Sequence, residues 1–154
     1  MKLAGRVEKL VLVSNMVSYG PEPREGEEIE QRATLRADGR SCVTRYAYAP
    51  RGDLVRIESR RPRCSADEAK RILADVLAAF VDREVMPMVT DVPVWEMTLE
   101  LEGGGKIEAH GSVLPGDDEL DRISESLRRV LDMPCLFAFD GAPYYGDDLD
   151  EEGE

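Results

Sequence analysis

Apolar positions recur along this chain with two periods, and each change of period marks a new element. Val7 to Val13 is rich in Val and Leu and reads as a first strand. Ser14 to Glu28 then carries Gly20-Pro21-Glu22-Pro23 and Gly26-Glu27-Glu28, the turn residues and charge of an exposed loop. Two β-like runs follow, Ile29 to Ala37 and Arg40 to Tyr48, flanking Asp38-Gly39. Asp-Gly between such runs is the preferred two-residue type I′ hairpin turn, in which both central residues need positive φ.

That turn predicts a register. Ala37 faces Arg40, so Leu35 pairs with Cys42, Ala33 with Thr44 and Gln31 with Tyr46. The alternate positions pair Arg36 with Ser41, Thr34 with Val43 and Arg32 with Arg45. Ile29, Ala33, Leu35, Cys42, Tyr46 and Tyr48 then form the buried face, while Arg32, Arg36 and Arg45 point away from it. After Pro50-Arg51-Gly52-Asp53, Leu54 to Ser59 adds a strand with Val55 and Ile57 inward and Arg56 and Glu58 outward.

Ser65-Ala66-Asp67-Glu68 is a capping box. Ala69, Ile72, Leu73, Val76, Leu77 and Phe80 follow at the spacing of one helix face, with an end expected near Asp82 to Glu84, before Pro87. The same order then repeats. Val94 to Leu101 alternates, with Trp95, Met97, Leu99 and Leu101 on one side and Glu96, Thr98 and Glu100 on the other. Gly103-Gly104-Gly105 turns the chain, and Lys106 to Val113 returns with Ile107, Ala109 and Val113 inward. Pro115-Gly116-Asp117-Asp118 opens a second helix with Leu120, Ile123, Leu127, Val130 and Leu131 as its stripe. Cys135 to Phe139, apolar throughout, predicts a last strand covered on both faces. The expected architecture is a single α+β domain over residues 1–145: about seven mostly antiparallel strands in two hairpin–helix units, both helices on one face. Residues 146–154 form an acidic tail with the composition of a disordered segment.

Composition narrows the classes. At 154 residues and 42% apolar, the chain has enough material for one core without staples. Its longest aliphatic run, Leu10 to Val13, is far short of a membrane span, and Arg6, Glu8 and Lys9 interrupt any signal-peptide core, so a cytoplasmic protein is expected. Cys42, Cys64 and Cys135 are odd in number and widely spaced, which gives neither a disulfide framework nor a zinc site. Of the 20 basic residues most are Arg, a habit of GC-rich bacterial genomes. The net charge of −12 is unevenly laid: residues 31–63 sum to +6 and residues 84–154 to −15. Such a balance disfavours direct binding of nucleic acid, where affinity comes from neutralising phosphates.

The candidates for chemistry are few. Cys64 precedes a helix N-terminus beside Arg60, Arg61 and Arg63, a setting that can stabilise a thiolate, although a phosphate loop of Cys-x5-Arg type would need Arg where Lys70 stands. His110, the one histidine, falls on the outward face with Glu108 and Ser112, and no nucleophile elbow accompanies it. Asp91, Glu96, Glu100, Glu102 and Glu108 could supply carboxylates, but Glu96 and Glu100 lie about 13 Å apart along a strand, too far to share an ion. Asp117, Asp118 and Glu119 suit a helix N-terminus. Trp95 reads as a core anchor, and Tyr144-Tyr145 as a pin or a contact near the tail. No metal, cofactor or catalytic set is expected, and no motif is specific enough to assign a family.

What stands out is the outward row Arg32, Arg36, Arg45, Arg56 and Arg60, with Arg32 opposed to Arg45. Like charges so placed need an anion, supplied by Glu30 and Glu58, by the acidic hairpin, or by a partner. The expected function is therefore a non-enzymatic protein-interaction module using the open sheet face, its partner an acidic surface or a second copy. The alternative is an acidic inhibitor imitating nucleic acid; a third reading is a hydrolase or redox enzyme built on His110 or Cys64. The preferred reading hangs on the two-residue turn at Gly39.

Overall fold

Eight elements alternate along the chain of the computed structural model, which describes residues 7–16, 24–49, 54–81 and 93–141. They are β1 (Val7–Asn15), β2 (Glu28–Arg36), β3 (Ser41–Tyr48), β4 (Leu54–Arg60), α1 (Ala66–Val81), β5 (Val94–Leu101), β6 (Lys106–Ser112) and α2 (Asp118–Val130). The strands make one antiparallel sheet in the order β4-β3-β2-β1-β5-β6. Among the described residues the fold is α+β, with six strands where about seven were expected. Pro50 to Asp53, residues 82–92 with the expected end of the first helix and Asp91, Tyr144-Tyr145 and the acidic tail lie outside the described residues.

Local chemistry sets both helices. Ser65 Oγ accepts from the Glu68 amide at 3.1 Å, the capping bond that the box predicts, and its hydroxyl donates to the Glu68 carboxylate at 3.1 Å. Asp117 accepts from the Leu120 amide at 3.0 Å, and Asp118, Glu119 and Asp121 place negative charge in the first turn of α2. Ile72, Leu73 and Val76 of α1 and Leu120, Ile123 and Leu127 of α2 share one core with Leu10, Leu12, Leu35, Val43, Met97 and Leu99 of the sheet. Trp95 anchors that core as expected, its ring meeting Phe80 at 5.7 Å and Phe139 at 4.9 Å, and its indole N–H donating to the Ser112 carbonyl at 3.1 Å. Gly111 makes the room: a Cβ there would lie 2.7 Å from Trp95 Cζ2.

The β2–β3 hairpin departs from the expected register by one residue. Arg36 and Arg40 close the loop, with Arg36 N donating to Arg40 O at 2.8 Å and Gly39 N to Arg36 O at 2.9 Å. Three residues, Ala37-Asp38-Gly39, therefore turn the chain. Gly39 alone of them has positive φ (92°), which fits a type I turn followed by a glycine bulge and excludes type I′. Asp38 tightens the bend by accepting from the Arg40 amide at 3.0 Å and from its guanidinium at 2.7 Å. These bonds hold the Asp38 carboxyl below its ordinary pKa, the backbone one contributing most.

A one-residue slip exchanges the two faces of a strand. Leu35 pairs with Ser41, Ala33 with Val43, Arg32 with Thr44 and Gln31 with Arg45. On β3 it is Ser41, Val43 and Ala47 that are buried, while Cys42, Tyr46 and Tyr48 belong to the other face. The opposition of Arg32 to Arg45 does not exist. β4 is corrected too. Val55 and Ile57 are 53% and 47% exposed rather than inward. Two helices of about 10 Å diameter cover roughly four strands at 4.8 Å spacing, and β4 lies at the edge, three places from the β1 strand under α1.

The run Cys135 to Phe139 is not a strand. Leu136, Phe137, Ala138 and Phe139 are buried as expected, but they follow an irregular path beneath α2, with Ala138 at φ 52°. Side chains satisfy the backbone that no ladder reaches. Ser14 donates to the Ala138 carbonyl at 2.7 Å, and Gln31 donates to Cys135 O and accepts from Phe137 N. Ser124 accepts from Phe139 N at 3.1 Å, and Arg128 donates to Leu136 O and Phe137 O. Asp140, also buried, pairs with the Arg128 guanidinium.

Candidate functional site: the open face of the sheet

Both helices and the 131–141 segment pack on inward residues, so the opposite sheet face is the surface left without a described element against it. The pairing register lays its side chains out in rows. One row runs Ser59, Thr44, Arg32, Val13, Glu96, His110 from β4 to β6. On one side of it lie Arg56, Tyr46, Glu30, Asn15, Val94 and Ser112; on the other lie Cys42, Thr34, Val11, Thr98 and Glu108. Arg36, Lys9, Glu100 and Lys106 end the lattice.

Of the five arginines expected here, three are present. Arg32 lies 2.9 Å from Glu30 and 4.9 Å above the Tyr46 ring, an ion pair and a cation–π contact that fix its guanidinium on the face. Arg36 is exposed beside Lys9, and Arg56 stands across from Tyr46. Arg45 and Arg60 are on the helix side. Arg45 makes a bidentate pair with Glu28 at 2.6 and 2.7 Å and a third bond to Glu58 at 3.2 Å. The Glu28 carboxylate, which also accepts from Gln31, holds this guanidinium well above its ordinary pKa against the opposing cost of burial. Arg60 donates to the Asp132 carbonyl at 3.3 Å after α2. These two arginines brace the fold, and the five do not form one surface.

The other half of the face is acidic: Glu96 and Glu100 on β5, Glu108 on β6, with Lys106 and His110 among them. Lys9 reaches Glu100 at 3.7 Å, a half-exposed pair of small energetic worth. Between the halves run Val11 and Val13 of β1, half-buried, flanked by Thr34 and Thr98. The alternation already assigns these carboxylates to the uncovered face, opposite in sign to the first hairpin; what nothing local says is that β1 lies between the two hairpins.

The candidates for enzymatic chemistry do not converge. Cys64 is half-buried against the core, its amide donating to Gly39 O at 3.1 Å. Burial, with Glu68 nearby, raises its thiol pKa, the reverse of an activated thiolate. His110 is exposed on the edge strand β6, across from Glu96. A groove between the helices is lined by Asp75, Ala78, Glu119, Arg122, Ile123 and Ser126 and contains neither. Among the described residues no group of three or more His, Cys, Asp or Glu could hold a metal ion, and no helix is long and apolar enough to cross a membrane. The chain matches no protein-family model and no curated protein.

Proposed function

We propose that this protein is a non-enzymatic interaction module that binds another protein through the open face of its sheet. One observation carries the reading: the face opposite the helices differs in predominant sign across β1, with Arg32, Arg36 and Arg56 around Glu30 on β2 and β4, and Glu96, Glu100 and Glu108 around Lys106 on β5 and β6. A half-buried valine strip flanked by charge is the arrangement of a docking surface, an apolar centre inside a polar rim. The row of five arginines that first suggested this is not its support, since Arg45 and Arg60 serve the other side. An acidic mimic of nucleic acid is less favoured, because Lys9, Lys106 and His110 interrupt the carboxylates on this face.

Capture by the immobilised full chain tests the reading. Arg32→Glu with Arg36→Glu should abolish retention of the proteins that the wild-type chain retains. Arg122→Glu with Arg129→Glu, both exposed on α2, should leave it unchanged. Retention that follows the α2 pair instead would refute the open face as the site.

A further inference from the structure

The two signs lie on opposite sides of β1, and that makes the face complementary to itself. We propose that a second copy of this chain docks there, open face on open face, about a two-fold axis running along β1 between the sheets. The inference rests on the interaction reading above and names the partner of that same face.

Such an axis keeps each row and reverses the order of strands, so β2 of one copy lies over β5 of the other. Arg32 then meets the second copy's Glu96, Arg36 its Glu100, and Thr34 its Thr98, because these residues share rows through Val13, Lys9 and Val11. On the flanks, Cys42 meets Glu108 and Thr44 meets His110. Val11 and Val13 meet themselves on the axis. Lys9 does so too, and its Glu100 at 3.7 Å offsets the repulsion.

Charge selects this axis over the other that face-to-face packing allows. A two-fold across the strands over the Thr34 row would set β2 on β2, with Arg32 of each copy against Arg36 of the other; like charges so juxtaposed disfavour the pairing. The area is sufficient. Five overlapping strands at about 4.8 Å and about 21 Å of length cover roughly 500 Å² per copy, or about 1,000 Å² in total, the scale of the smaller specific interfaces. Sheets packed this way stand about 10 Å apart, a gap that Arg and Glu side chains fill from both sides. β4 overhangs the pairing and contributes nothing to it.

Sedimentation velocity on the full chain, from about 5 to about 200 µM, reads the outcome. The wild-type protein should show a concentration-dependent dimer that weakens as salt rises from about 50 to about 500 mM. Arg32→Glu with Arg36→Glu makes both halves of the face predominantly acidic, and Glu96→Arg with Glu100→Arg makes both predominantly basic. Each variant alone should dimerise roughly tenfold more weakly or worse, and an equimolar mixture should recover the dimer as a heterodimer. Circular dichroism and melting curves confirm that both variants are folded. A wild-type chain that stays monomeric throughout overturns the self-pairing while leaving the capture experiment to judge the interaction reading. A dimer indifferent to both charge reversals overturns the self-pairing and counts against the open face itself.

Discussion

Two apolar runs in this protein, Val94 to Leu101 and Cys135 to Phe139, meet different fates for one physical reason. The first becomes β5, hydrogen-bonded to β1 on one edge and β6 on the other, with Trp95, Met97 and Leu99 buried on one side and Glu96 and Glu100 on the other. The second is buried as deeply from Leu136 onward, yet pairs with no described strand. Its backbone N–H and C=O groups are met by Ser14, Gln31, Ser124 and Arg128, four of the few buried polar side chains in the core. Burial does not make a strand; a partner for the backbone does. Where the sheet supplies the partners, open-face polar residues are free to vary. Where side chains supply them, each is structurally committed.

Arg128 tests that contrast most severely. It bonds two carbonyls of the irregular segment and pairs with the buried Asp140 carboxylate. Arg128→Leu removes the guanidinium from that buried carboxylate and from both carbonyls, and should cost about 3–5 kcal/mol in denaturant unfolding. Adding Asp140→Leu should recover part of the loss by removing the carboxylate that the guanidinium neutralised, but not all, because Leu136 O still lacks the donor that Arg128 supplied. A single variant within 1 kcal/mol of wild type would mean that water or a rearranged chain replaces the guanidinium, and the comparison would fail.

Gln31 comes next. Its amide closes a two-point contact on the segment, accepting from Phe137 N at 2.6 Å and donating to Cys135 O at 3.0 Å. Gln31→Leu keeps the size and removes both bonds, an expected loss of about 2–3 kcal/mol. Ser124→Ala removes only the acceptor of Phe139 N and should cost about 1–2 kcal/mol. On β5, by contrast, Thr98→Ala on the open face should stay within about 0.5 kcal/mol. Hydrogen exchange separates the cases further: Gln31→Leu should deprotect Phe137 and Phe139 before it touches the amides of β5.

What the sequence made legible follows the range of the interaction. Ser65 with Glu68, Asp117 ahead of α2, the alternation through Trp95, and both helix stripes are local, and all appear where expected. The hairpin slipped because Asp-Gly serves two loop lengths. A three-residue loop needs positive φ at Gly39 alone and turns Val43, the one branched aliphatic residue of β3, into the core. The two-residue turn would have left Val43 among the arginines, a conflict that the sequence itself displays. Gly39 is then held by the chain before α1: Cys64 N donates to its carbonyl, and a Cβ there would come 2.1 Å from Cys64 O. The partners of the Cys135 to Phe139 run lie up to 124 residues away, and no periodicity announces them. The open face was partly legible: Arg32, Arg36 and Arg56 lie on the side where they were expected, as do Glu96, Glu100 and Glu108, but the strand order that puts β1 between the two halves was not legible.

The mildest perturbation touches no fold at all and still separates the two kinds of site. Cys135 is exposed at the start of the irregular segment, whereas Cys64 is half-buried and its thiol pKa is raised, chiefly by burial and then by Glu68. A raised pKa lowers the thiolate fraction at neutral pH, so Cys64 should be alkylated more slowly than Cys135 at pH 7. Its rate should climb as pH passes above the ordinary thiol range, near 8.5. Gln31→Leu should not alter the Cys64 rate, since that thiol sits against Gly39, away from the loosened segment. Mass spectrometry of timed alkylation gives both rates in one experiment. If Cys64 is modified first at neutral pH, the neighbouring arginines outweigh its burial, and the loop before α1 becomes the reactive site that its hydrogen bonds argue against.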